Sequence, residues 1–161
     1  MSNLRLGPAS RECVLGLIVR TGAQTFPQTA TATLFTVHTG NVLVTAMYGI
    51  ITTLPGGDPQ ITMGLAPTAG TAEVNGLGAT TAITEEVGSW VALYDTTTTN
   101  KAGAFAVGGH AGVGVFGALA AFPVAPGAIT GTASASQTGA MQWYLTYVPL
   151  DEGAYVGALT G

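Results

Sequence analysis

Met141-Gln142-Trp143-Tyr144-Leu145-Thr146-Tyr147-Val148-Pro149 is the stretch whose reading decides the fold. Its apolar bulk recurs every second residue, so Trp143, Leu145 and Tyr147 share one face of an extended chain. β-branched and aromatic residues suit a pleated, half-buried surface, and the stretch reads as the strongest core strand of the protein. Pro149 has no N–H to donate, so it stops the strand or places it at an edge.

The same period of two recurs upstream. In Thr29-Ala30-Thr31-Ala32-Thr33-Leu34-Phe35-Thr36-Val37 the alternation again puts one drier face on a strand. His38-Thr39-Gly40-Asn41 offers turn chemistry, with Gly40 and Asn41 both suited to positive φ. The run Val42–Thr53 is too rich in β-branched residues for a comfortable helix. The two runs read as a hairpin, closed by Leu54-Pro55-Gly56-Gly57-Asp58-Pro59. Further strands are predicted at Gln60–Leu65, Trp90–Tyr94, Ala104–Val107, Gly114–Ala121, Ala128–Ala135, Met141–Val148 and Ala154–Leu159. One short helix is placed at Ala79–Val87, against the preference of Thr80, Thr81 and Thr84. Short strands separated by Gly-, Pro- and Thr-rich loops point to an all-β fold. The expected architecture is an antiparallel β-sandwich or a jelly roll with at most one short helix. The expected organisation is an N-terminal arm and first strand over residues 1–20, followed by a single β domain over 21–161.

Ala, Thr and Gly make up 74 of the 161 residues, while Lys, Arg, Asp and Glu number only 12. An average protein carries charge at about a quarter of its positions. A monomer of 16.1 kDa exposes about 7,400 Å², or roughly one charge per 600 Å² here. Such a surface is solvated by Thr, Ser, Gln and Gly, or covered by other subunits, because charge is depleted at interface cores. Hydrophobic residues at 47% exclude a disordered, solvating chain. Four basic residues and a net charge of −4 argue against a nucleic-acid binder, which needs clustered Lys and Arg. The charge is also uneven. Residues 1–20 hold Arg5, Arg11 and Arg20 against Glu12, a net of +2, and residues 21–161 carry −6. A basic segment on an acidic body suits docking on an acidic neighbour, and equally describes a merely solvated terminus.

Motifs for chemistry are weak. Gly112-Val113-Gly114-Val115-Phe116-Gly117 matches G-x-G-x-x-G, but Pro123 and Pro126 leave no room for the helix that a dinucleotide site requires. Position 137 holds Gln137 where an acid is needed. His38, His110 and Cys13 lie too far apart in sequence for a metal motif. The pairs Glu85-Glu86 and Asp151-Glu152 read as solvated loop charges. No Ser sits in a nucleophile elbow, so no catalytic, metal or cofactor-binding residue is assigned and no cofactor is expected. Cys13 beside Val14 and Leu15 reads as a small buried hydrophobe. Residues 102–150 contain no charged side chain, but glycines, His110, Pro123 and Pro126 interrupt the run, and no membrane partner is expected. No secretory signal is visible, so synthesis is expected in the cytoplasm.

Three segments resemble a group of small structural proteins of tailed bacteriophages, the head decoration or cement proteins. The first is Phe26-Pro27-Gln28-Thr29 leading to Leu34–Val37 and Gly40–Thr45. The second is Leu65-Ala66-Pro67-Thr68-Ala69-Gly70-Thr71. The third and most specific runs from Pro126–Thr130 to Met141–Ala154, with the pattern W-Y-L-T-Y-V-P-L-D-x-G-A. The Gly-rich region Ala102–Gly117 and the N-terminal arm do not share the likeness. The resemblance implies a virion component on the capsid surface that binds the major capsid protein and forms a homo-oligomer, commonly a trimer, clamping neighbouring capsomers. On that reading the arm with Arg5, Arg11 and Arg20 contacts acidic capsid surface. A tail or tail-tube protein is the alternative within virions. A glycan-binding jelly roll is the alternative of another class, with Trp90 or Tyr94 near Asp95 as its aromatic platform. No enzyme activity is expected.

Overall fold

The computed structural model describes residues 16–25, 31–57, 60–83, 86–94, 104–108, 121–134 and 138–159. These form strands β1 (Leu17–Thr25), β2 (Thr31–His38), β3 (Val42–Thr53), β4 (Gln60–Pro67), β5 (Glu73–Ala82), β6 (Trp90–Tyr94), β7 (Ala104–Gly108), β8 (Phe122–Val124), β9 (Gly127–Ala133), β10 (Ala140–Pro149) and β11 (Tyr155–Ala158). No helix occurs among the described residues.

The strands build two antiparallel sheets packed face to face, a β-sandwich. The first runs β1-β10-β3-β6-β7. β3 is long enough to pair β8 at Val42–Val44 and β6 at Tyr48–Ile50. The second runs β5-β4-β9-β2-β11, and one parallel contact between Ala79 and Ala104 links the two. Phe35, Met63 and Ile129 of the second sheet bury their side chains against Met47, Ile51, Leu93, Met141 and Leu145 of the first. Burying a side chain of this size stabilises by roughly 2 kcal/mol.

β10 fulfils the alternation read from its sequence. Met141, Trp143, Leu145 and Tyr147 are buried, and Gln142, Tyr144, Thr146 and Val148 are half-buried on the other face. It lies between β1 and β3 in the middle of its sheet, and Pro149 ends it. Gly49 sits opposite Trp143. A Cβ there would come within 2.7 Å of Met141 Cε and 2.9 Å of Trp143 Cε3, so the bare glycine makes room for the indole. Register shifts change which face points inward. One lies between Thr33 and Phe35, and Leu34 and Phe35 beside it are both buried.

Two expectations are corrected. Ala79–Val87 is not a helix: Ala79–Ala82 end β5, and Val87–Gly88 form a turn. The β-branched Thr80 and Thr81 lie within the strand they favour. β2 and β3 are not a hairpin either. β2 pairs with β9 and β11, and β3 pairs with β10, β6 and β8. Thr39-Gly40-Asn41 therefore carries the chain from one sheet to the other. The positive φ there belongs to Thr39, at 69°, rather than to Gly40 or Asn41. β1 spans residue 20, running from Leu17 to Thr25 with a register shift between Arg20 and Ala23. The expected strand at Gly114–Ala121 lies almost wholly outside the described residues, as do Cys13, His110 and the G-x-G-x-x-G stretch.

Candidate functional site

The arch from β2 to β3 is closed by the segment after β10. Asp151 Oδ2 accepts hydrogen bonds from Asn41 N at 2.7 Å and from Asn41 Nδ2 at 2.8 Å. Leu150 N–H donates to Asn41 O at 3.0 Å, and Ala154 N–H to Asp151 O at 3.1 Å. A Cβ on Gly40 would sit 2.6 Å from Asp151 Cβ, so this closeness, not positive φ, requires the glycine. Asp151 is thus no idle loop charge but the clamp that joins the end of β10 to the crossover. The P-L-D-x-G-A part of the third segment builds this clamp, with Gly153 in the left-handed region at φ 75°.

The outward face of the first sheet carries a row of large side chains. Register places Arg20 of β1 beside Tyr144 of β10, Tyr144 beside Tyr48 of β3, and Tyr48 beside Ala92 of β6. The Tyr48 and Tyr144 rings stack at 5.1 Å and 11°, and the Trp90 ring lies 5.2 Å from Tyr48 at 41°. All three are half-buried. Such cross-strand aromatic pairs also stabilise a sheet in their own right. Ile18, two residues from Arg20 on the same side of β1, is 68% exposed, and Arg20 is itself exposed.

Local structure holds this row in place. A bulge in β1 between Arg20 and Ala23 turns Thr21 inward. Its hydroxyl donates to Gly22 O at 2.8 Å and accepts from Trp143 N–H at 3.0 Å. Gln142 Nε2 donates to Thr21 O at 3.0 Å, and Tyr144 OH donates to Gln142 Oε1 at 2.9 Å. The bulge carbonyl thus fixes the amide, and the amide fixes the phenol. At the other end, Ile51 N–H donates to Ser89 O at 3.0 Å and Gly88 N–H to Ile51 O at 2.8 Å, which anchors the entry to Trp90. Burial pushes the Tyr48 phenol above its ordinary value, and the neighbouring Tyr144 phenol adds to the rise.

Of the residues singled out by sequence, Arg20 is on this face and Trp90 is at its far side. Arg5, Arg11 and Asp95 lie outside the described residues, and of Tyr94 only the backbone is described. Ile18, Tyr48 and Tyr144 escaped the sequence reading as a group. Each had a signal, being a large side chain at an outward position in a chain of small ones, but their adjacency depends on strand order. On the second sheet, His38 and Tyr155 stack at 4.6 Å. A cleft of about 100 Å³ at the rim, lined by Leu65, Pro67, Pro123 and Ala125 among others, is lined by no ionisable side chain. Among the described residues, no group of three His, Cys, Asp or Glu side chains is placed to hold a metal, and no helix is long and apolar enough to cross a membrane. No family model, curated protein or solved structure matches the chain.

Proposed function

We propose that this protein is a virion structural protein, a capsid decoration protein that binds the outer capsid surface and stabilises contacts between capsomers. It acts as a homo-oligomer, a trimer in the simplest arrangement, with the major capsid protein as its partner. The observation that carries the reading is the placing of charge. Arg20, the one cation among the described residues, stands exposed on β1, directly after a segment that contributes Arg5 and Arg11 to an otherwise acidic chain. The resemblance in the three segments supports it, and the most specific of them forms the core strand and the arch clamp. The clamp ties the crossover to the end of β10, and such preorganisation lowers the entropy lost on docking. Binding only to assembled shell would stabilise that shell by mass action.

The glycan reading is less well supported. Of the platform it needs, Trp90 is half-buried with its ring 5.2 Å from Tyr48, and Asp95 and the Tyr94 side chain lie outside the described residues. The test is re-addition of purified protein to shells stripped of it. Saturable binding that weakens with salt and raises the shell's melting temperature is expected. Failure to bind any head surface, with binding to tails instead, would transfer the protein to the tail.

A further inference from the structure

We infer that the outward face of the first sheet, centred on Ile18, Arg20, Tyr144, Tyr48 and Trp90, is the surface that docks on an acidic protein surface of the shell. The inference rests on the decoration reading and assigns its contact to one face of the sandwich.

Four observations carry it. The first is composition: Tyr, Trp and Arg are the residues that dominate binding energy at protein interfaces, and here the Tyr144, Tyr48 and Trp90 rings adjoin one another and register sets Arg20 beside Tyr144, across four adjacent strands, β1-β10-β3-β6. The second is order. The relay from Thr21 O through Gln142 to Tyr144 OH and the ring contacts of Tyr48 with Tyr144 and Trp90 hold the three aromatic side chains before any partner arrives, so ordering them on docking costs little rotamer entropy. The third is exposure. Ile18 at 68% is a large aliphatic side chain left in water beside Arg20, where a partner would cover it. The fourth is charge complementarity. The face holds Arg20, the one Lys or Arg among the described residues, while residues 21–161 carry a net −6. An acidic partner is attracted to Arg20 rather than to an acidic body, which favours this orientation. Four strands spaced at about 4.8 Å make the face roughly 19 Å wide, the footprint of an interface core rather than of a whole interface.

The experiment measures occupancy of Ile18→Asp and Arg20→Glu on stripped native shells, with Tyr155→Ser on the second sheet as a control. Ile18 and Arg20 are exposed, so their variants should keep the wild-type urea midpoint, while Tyr155→Ser loses its stack on His38 and should lower the midpoint slightly without unfolding the sandwich. Light scattering of each free protein is recorded in parallel. The expected result is at least about tenfold weaker shell binding for Ile18→Asp and for Arg20→Glu, unchanged binding for Tyr155→Ser, and unchanged mass of the free proteins. Wild-type binding that the two first-sheet variants leave intact would overturn the assignment of the face while keeping the decoration reading. A drop in the mass of the free variants would show that the face joins copies of this chain, and would also overturn it. Wild-type protein that does not bind shells at all would remove the decoration reading and the inference with it.

Discussion

Asp151→Ala should loosen the crossover between the sheets by an amount that the geometry sets. The carboxylate accepts two hydrogen bonds from one residue, Asn41 N at 2.7 Å and Asn41 Nδ2 at 2.8 Å. A hydrogen bond to a charged group is worth about 1.5–3 kcal/mol. Both of these are exposed to water, which screens them, so about 2 kcal/mol for the pair is the expected loss. For a chain of this length each kcal/mol moves the melting temperature by roughly 2–4 °C, giving a fall of about 4–8 °C. Asn41→Ala should cost less, because the backbone N–H of residue 41 still reaches Asp151. Asp151→Asn should fall between wild type and Asp151→Ala, since the amide oxygen still accepts but carries no charge. Urea denaturation followed by the fluorescence of Trp143, which is 4% exposed, measures all three. The double variant Asn41→Ala/Asp151→Ala should show coupling of about 1 kcal/mol. A cost for Asp151→Ala within about 0.5 kcal/mol, the range of an ordinary surface substitution, would refute the clamp.

Three further outcomes follow from the packing. Gly127→Ala places a Cβ 2.5 Å from Ala66 O and Pro67 Cα at a φ of +151°. Backbone cannot yield there, so a loss of at least about 3 kcal/mol, or no soluble protein, is expected in a solubility and melting assay. Thr21→Val removes the acceptor that Trp143 N–H uses inside the β1 bulge and should cost about 1–3 kcal/mol in urea. The Tyr48 phenol holds its proton more tightly in the folded state than at its ordinary 10.0. Its contribution is complete below that value and is lost as pH rises through it, because the unfolded chain ionises first. Urea midpoints between about pH 9 and 11 should therefore fall less steeply in Tyr48→Phe than in wild type.

What the sequence disclosed was local. The two-residue period of Met141–Val148 located a core strand, and Trp90–Tyr94 was placed with the bounds that the structure shows, because alternation and β-branching act within a few residues. Pairing was not legible. Thr39-Gly40-Asn41 looks like a hairpin turn, but whether two strands meet edge to edge or face to face depends on a third segment, and here that segment is Leu150–Ala154, more than 100 positions away. Over Ala79–Val87 the preference of the threonines for a strand, together with the pairing of β5 with β4, wins over the expected helix. For the site, Arg20 was visible as a charge on a basic segment. Its neighbours Tyr144 and Tyr48 come from strands with sequence positions far apart and meet only through the order β1-β10-β3. The inward turn of Thr21 that orders Gln142 had no sequence signal, since bulges leave no fixed residue pattern of their own.

Cryo-electron microscopy of the native particle tests the central claim most directly. The account predicts density for a two-layered sandwich on the outside of the head, in copies related by a local symmetry axis, with β1, β10, β3 and β6 turned toward the capsid. Density for the same fold in the tail, or a head bare of it in particles that contain the protein, would contradict it.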